Sequence, residues 1–188
     1  MWYSAGMAQQ STMLPLGTPL PQFSLSDVLS GQIVSSETFK GKPALVMFIC
    51  RHCPFVKHVQ GELAKLGKDY AGRVNILAIS SNDIQECPDD SPQSLKKQAE
   101  EVGFNFPYLY DEAQDVAKSF TAACTPDFFL FDREGKLVYR GQLDDSRPSL
   151  DIPVTGKDLR EAIEALLSGQ PINPNQKPSV GCGIKWKE

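Results

Sequence analysis

The sequence predicts an α/β protein whose central sheet carries helices on both faces. Three observations carry this expectation. Ala44-Leu45-Val46-Met47-Phe48-Ile49 is apolar throughout, with the length and boundaries of a strand covered on both sides. Val56, Val59, Leu63, Leu66 and Tyr70 then recur at spacings of three and four, one apolar face of a helix. Val74-Asn75-Ile76-Leu77-Ala78-Ile79 follows as a second buried strand. The order is strand, helix, strand, and a right-handed parallel crossover is expected.

The other elements follow in chain order. Pro21-Gln22-Phe23-Ser24-Leu25 and Ile33-Val34-Ser35 flank a turn-rich stretch and read as an N-terminal hairpin. Pro54 suits the first turn of the helix that follows. Ser91-Pro92 opens a polar helix through about Val102, and Asp111 is placed to cap another through Phe120. The aromatic stretch 104–110 between them is expected to pack under the sheet. Phe128-Phe129-Leu130-Phe131 and Leu137-Val138-Tyr139-Arg140, joined by Asp132-Arg133-Glu134-Gly135, form an antiparallel hairpin. Thr155-Gly156-Lys157-Asp158 resembles a capping box before the last helix, whose face is Leu159, Ile163, Leu166 and Leu167, and Gly169 ends it.

At 188 residues the chain fits one domain, which at this size buries roughly 70% of its unfolded surface. We divide it into a flexible arm at 1–17, a core domain at 18–168 and a tail at 169–188 that packs on or near the domain. A net charge of −4, with no basic cluster, argues against nucleic acid as a partner. No run approaches a membrane span, and the first twenty residues lack the pattern of a secretory signal. Five cysteines are too few and too irregular for a secreted disulfide framework. A cytoplasmic protein is expected.

Cys50-Arg51-His52-Cys53-Pro54, at the strand-to-helix junction, is where chemistry is expected. An ordinary thiol is only about 3% ionised at pH 7. Orphan N–H groups at a helix start favour a thiolate, and Arg51 and His52 add positive charge. On this reading Cys50 attacks and Cys53 resolves. A Cys-x-x-Cys pair is also half of a zinc site, with His52 and His58 nearby, but no second pair completes it. His52 either takes a proton, its ordinary pKa lying near the operating pH, or tunes the thiolate through its charge. His58 reads as a surface residue.

Taken together, the hairpin, strand–Cys-x-x-Cys–helix, strand, helix, Thr125-Pro126, second hairpin and terminal helix resemble the thioredoxin fold over residues 18–168. Pro21-Gln22-Phe23-Ser24-Leu25, Gly41-Lys42-Pro43, Cys53-Pro54 and Thr125-Pro126-Asp127-Phe128-Phe129-Leu130-Phe131-Asp132 resemble its AhpC/TSA branch, which includes peroxiredoxins and TlpA-like thiol–disulfide oxidoreductases. His52-Cys53-Pro54 with Gly181-Cys182-Gly183-Ile184-Lys185-Trp186-Lys187 is similar to an uncharacterised peroxiredoxin-like group within that branch. The resemblance implies a cis Pro126 packed against the dithiol and a Thr125 backbone that pairs with an incoming extended peptide. The chain departs from the peroxiredoxin pattern at Val46 and Cys50, where that pattern has a proline and a threonine. It also lacks the peroxiredoxin arginine near Thr125, for which Arg51 or Arg140 is a candidate substitute. Where thioredoxins bury a carboxylate on the strand, this chain has Ala44.

The expected function is a thiol–disulfide oxidoreductase working through Cys50 and Cys53, with Arg51, His52, Pro54, Thr125 and Pro126 in support. The alternatives are a peroxiredoxin-like thiol peroxidase and, behind it, a copper- or zinc-binding metallochaperone. Cys124 and Cys182 either pack inertly or act as relay thiols, and Cys87 reads as an exposed bystander. No cofactor is expected. Substrates are disulfides of proteins or small molecules, or peroxides, and the reductant is of the thioredoxin or glutathione type.

Overall fold

The computed structural model describes residues 7–188. Its centre is a seven-stranded mixed sheet in the order β3-β2-β6-β5-β4-β8-β9. These strands are β2 (Ser24–Asp27), β3 (Ile33–Ser35), β4 (Ala44–Phe48), β5 (Asn75–Ser80), β6 (Tyr108–Tyr110), β8 (Asp127–Phe131) and β9 (Leu137–Gly141). β4, β5 and β6 run parallel and the other pairs antiparallel. The stretch at 104–110 therefore does more than pack under the sheet. Tyr108–Tyr110 is a strand within it, and the N-terminal hairpin β2–β3 joins the sheet through β6.

All of β4 is buried, and its side chains alternate between two cores. Leu45, Met47 and Ile49 face one with Phe128 and Leu130; Ala44, Val46 and Phe48 face the other with Phe129 and Phe131. A strand covered on both faces has no solvent side to make polar, which explains its continuous apolar run. The first face is covered by α1 (Pro54–Asp69), α2 (Pro92–Val102) and α4 (Lys157–Leu167), through Val56, Leu63, Leu66, Leu95, Leu159 and Ile163. The second face carries α3 (Asp115–Ser119) and edge-to-face contacts of Phe120 with Phe48, Phe129 and Phe131.

The two later helix starts are capped from a distance. α3 begins after Gln114, and Asp111 caps it as expected, its carboxylate accepting from the first-turn N–H groups of Val116 and Ala117 and from the Ser81 hydroxyl. α4 is preceded by Gly156 at φ 68°, in the left-handed region, not by a Thr155 cap. The N–H groups of Thr155 and Gly156 go to the Asp144 carboxylate, supplied by the loop after β9.

A second, three-stranded sheet joins both ends of the chain to the domain. Its order is β1 (Ala8–Gln10), β10 (Val180–Gly183), β7 (Cys124–Thr125), all antiparallel. The arm expected at 1–17 thus contains a strand, while residues 1–6 lie outside the described residues. No helix among the described residues is long and apolar enough to cross a membrane.

Candidate redox site

Cys53, not Cys50, stands at the helix start. α1 begins at Pro54, and Cys53 is its N-cap in extended conformation. Pro54 ends the descent from β4 and opens the first turn without leaving an N–H orphaned. Cys50 lies one turn earlier, in the loop leaving β4. Both cysteines are fully buried. The sequence expectation that Cys50 occupies the anion-favouring position is corrected here: Pro54 sets the first turn three residues later than Cys50 would require.

The electrostatics follow the geometry. The Cys53 thiol is held well below its ordinary pKa, first by hydrogen bonding from Cys182 and Cys50, then by the N–H of Val56, against the opposing effect of burial. Burial pushes the Cys50 thiol up, with the nearby negative charges of Cys53 and Asp90 adding to it, so Cys50 stays protonated. Its Sγ lies 3.3 Å from Thr125 Oγ1. The Thr125–Pro126 peptide bond is cis, as the resemblance implies, and the Thr125 carbonyl lies 3.3 Å from Cys53 Sγ.

Asp90, fully buried, organises the loop between the cysteines. One carboxylate oxygen accepts from the N–H groups of Arg51 (2.8 Å) and His52 (3.2 Å). The other accepts from Asn82 Nδ2 (2.8 Å) and lies 2.5 Å from His52 Nδ1. The hydrogen bond with Asp90 raises the His52 pKa, which favours the imidazolium. His52 therefore acts on Cys53 as a positive charge. Arg51 turns the other way, donating to the Ser94 carbonyl at 3.2 Å and facing Glu101. Arg140 is likewise engaged elsewhere, with Leu14 and Gln176. Gln98 closes the network by donating to the Cys50 carbonyl and accepting from the Tyr108 hydroxyl.

The remaining thiols divide. Cys124 is buried, its Sγ 3.7 Å from the Pro126 carbonyl, and burial pushes its thiol pKa strongly up. Cys87 is half-buried and pushed up to about 11, chiefly by burial. Cys182 behaves differently, because β10 brings its Sγ to 2.7 Å from Cys53 Sγ. His58 is partly buried beside Pro126, Arg147 and Ser179, and its Nε2 has no hydrogen-bond partner.

Cys50, His52 and Asp90 bring one donor atom each within 4.8 Å of one another. Both Asp90 oxygens already accept from N–H groups, so this cluster is built as a hydrogen-bond hub. Asp90, Asn82 and Gln98 were not visible from the sequence as members of the site. The local signal at Asp90 is a polar Pro-Asp-Asp-Ser run, indistinguishable from an ordinary turn, and Asn82 and Gln98 sit in equally ordinary polar surroundings.

A low-pKa cysteine at a helix start, packed against a cis-proline and backed by a second thiol, defines a cysteine redox protein of the thioredoxin-like fold. The chain belongs to the AhpC/TSA family, whose model matches residues 16–140. An uncharacterized conserved protein from Geobacillus kaustophilus is 56% identical and superposes with a TM-score of 0.93 over 96% of each chain. The thiol-disulfide oxidoreductase ResA of Bacillus thuringiensis (strain Al Hakam) is 24% identical over 165 residues, covering 86% of this chain and 82% of that protein. A secreted Mycobacterium tuberculosis disulfide oxidoreductase shares the fold at 17% identity and a TM-score of 0.61, covering 77% of this chain and 96% of its own.

Proposed function

We propose that the chain is a thiol–disulfide oxidoreductase in which the Cys53 thiolate is the attacking sulfur and Cys50 its internal partner. The observation that carries this reading is the N-cap position of Cys53, with its depressed pKa, opposite the protonated, buried Cys50. Cys53 attacks one sulfur of an external disulfide and expels the other half as a thiolate. The Cys50 thiol then attacks Cys53, its proton passing to the second departing thiolate, and a Cys50–Cys53 disulfide remains. The His52 imidazolium, fixed by Asp90, stabilises Cys53 each time it becomes a thiolate. No cofactor enters this cycle. An external thiol of the thioredoxin or glutathione type restores the dithiol, which suits the reducing cytoplasm.

A peroxide-reducing reading uses the same thiolate, and the Cys53-Pro54 pair inside an AhpC/TSA match favours it. The test mixes reduced protein separately with oxidised glutathione and with hydrogen peroxide and follows thiol loss by stopped flow. Disulfide exchange predicts fast reaction with glutathione disulfide, lost in Cys53→Ser, and peroxide oxidation no faster than that of free cysteine. Peroxide oxidation orders of magnitude faster would replace this reading with a thiol peroxidase.

A further inference from the structure

Strand β10 lies where an exchange partner of Cys53 has to lie. It runs antiparallel to β7 with Cys182 opposite Thr125 and Gly183 opposite Cys124. The approach requires glycine, since a Cβ at Gly181 would collide with the Thr125 carbonyl. The strand is fastened at both ends. Before it, the Ser179 hydroxyl donates to the Pro126 carbonyl at 2.5 Å, and the Ser179 N–H donates to the Ser11 hydroxyl at 2.8 Å. After it, the Lys185 N–H donates to Asn82 Oδ1 at 2.9 Å, and Asn82 in turn donates to Asp90. Between these fastenings Cys182 is held against Cys53. Cys50 and Cys53 are fully buried while Cys182 is only partly buried, so of these three cysteines Cys182 is the most accessible from solvent.

We propose that β10 is a tethered exchange strand: Cys182 is a catalytic residue that forms a disulfide with Cys53, and external thiols and disulfides exchange with the chain at the Cys182 sulfur. The proposal rests on the reading of Cys53 as the nucleophile and extends it outward by one thiol. Starting from the Cys50–Cys53 disulfide, the Cys182 sulfur attacks Cys53. The Cys53–Cys182 bond forms, the Cys50–Cys53 bond breaks, and Cys50 leaves with the electron pair and takes up the proton that Cys182 gives up. An external thiolate then attacks Cys182. Cys182 is the least buried of the three cysteines, and the group displaced, Cys53, leaves as a stabilised thiolate, so attack is favoured there on both counts. A second external thiol displaces Cys182, and two electrons have passed from the donor to the buried pair. The same steps reversed carry electrons from the buried pair to an external disulfide. The matching partner is one that presents a reactive sulfur to a partly buried strand, such as a glutathione-sized thiol, with no need to reach the fully buried pair.

The full chain, oxidised with oxidised glutathione and mapped by mass spectrometry, tests this. Wild type and Cys50→Ser are expected to form Cys53–Cys182, and reduction by glutathione to pass through an adduct on Cys182. Cys182→Ser is expected to form Cys50–Cys53 and to be reduced by glutathione at least tenfold more slowly than wild type. Gly181→Ala keeps every thiol but displaces the strand, and is expected to lose the Cys53–Cys182 bond. Absence of that bond in wild type and Cys50→Ser, with Cys182→Ser reduced at the wild-type rate, overturns the relay and leaves Cys50–Cys53 exchange standing. A wild-type map in Gly181→Ala overturns it as well. Absence of any Cys53 disulfide in every variant overturns both the relay and the function it rests on.

Discussion

Cys53 is supported from two sides that work by different physics. On one side, the 51–52 loop is held by Asp90 through hydrogen bonds and the charge of His52. On the other, β10 is held by a backbone ladder and by glycines that allow close approach. The first support places the His52 charge beside the sulfur and responds to pH. The second brings up the Cys182 hydrogen bond, the largest cause of the depressed Cys53 pKa, and because it depends on close approach it responds to shape. Asn82 joins the two, donating to Asp90 while accepting from Lys185 beyond β10.

The largest expected effect removes the hub of the charged side. Asp90→Ala leaves the Arg51, His52 and Asn82 donors without their acceptor and should cost about 3–5 kcal/mol in chemical denaturation. A loss below about 1 kcal/mol would mean that the loop holds itself.

Asp127 sharpens the other side. It is fully buried at the start of β8, accepts from the Ser11 hydroxyl through one oxygen and leaves the other without a partner. Burial pushes its pKa up to about 7. Because the folded value lies above the unfolded one, its contribution to stability is full below the unfolded carboxyl pKa and is lost as pH rises towards 7. Asp127→Asn should therefore be more stable than wild type at pH 8, by about 2 kcal/mol, and the gap should close near pH 4. Equal stability at both pH values would contradict the buried acid.

His52→Gln removes charge while keeping a polar side chain. The Cys53 thiolate, followed by its ultraviolet absorbance, should titrate roughly one unit higher, equivalent to about 1.4 kcal/mol. The raised His52 pKa makes its stabilising contribution full below its ordinary value and lost as pH rises through the folded value. The stability difference between His52→Gln and wild type should accordingly shrink at high pH. An unmoved thiolate titration would leave the hydrogen bonds from Cys182, Cys50 and the Val56 N–H as its causes.

The smallest effect separates tail from core. Ser11→Ala removes one bond to Asp127 and the acceptor of the Ser179 N–H, at about 1 kcal/mol. Hydrogen exchange should accelerate at β10 while β4 stays protected, and uniform acceleration would make the tail part of the core's cooperative unit.

These tests also mark what the sequence could carry. The runs at 44–49 and 74–79 and the α1 stripe state their own structure, because burial on both faces of a strand or one face of a helix leaves a local pattern. The thioredoxin-like course and the cis proline were legible through residues 125–132. Which cysteine stands at the helix start was not, since either spacing suits a strand-to-helix junction, and in the structure Pro54 opens the helix with Cys53 as its N-cap. Asp90 and Asn82 were hidden because they reach the loop across the fold. β6 was hidden because three residues between β2 and β5 carry too short a pattern to separate strand from aromatic packing.

The pairing of Ala8 with Cys182 links residues separated by nearly the whole chain. Contacts of such long sequence separation carry a large loop-closure entropy and form late in folding. The sheet around Cys53 should assemble on its own, with Cys182 arriving last. For that interval the refolding chain holds a formed helix start and an uncovered Cys53 sulfur that still lacks its Cys182 hydrogen bond. Pulsed alkylation during refolding should therefore label Cys53 after β4 and α1 have become protected and stop doing so only when β10 docks.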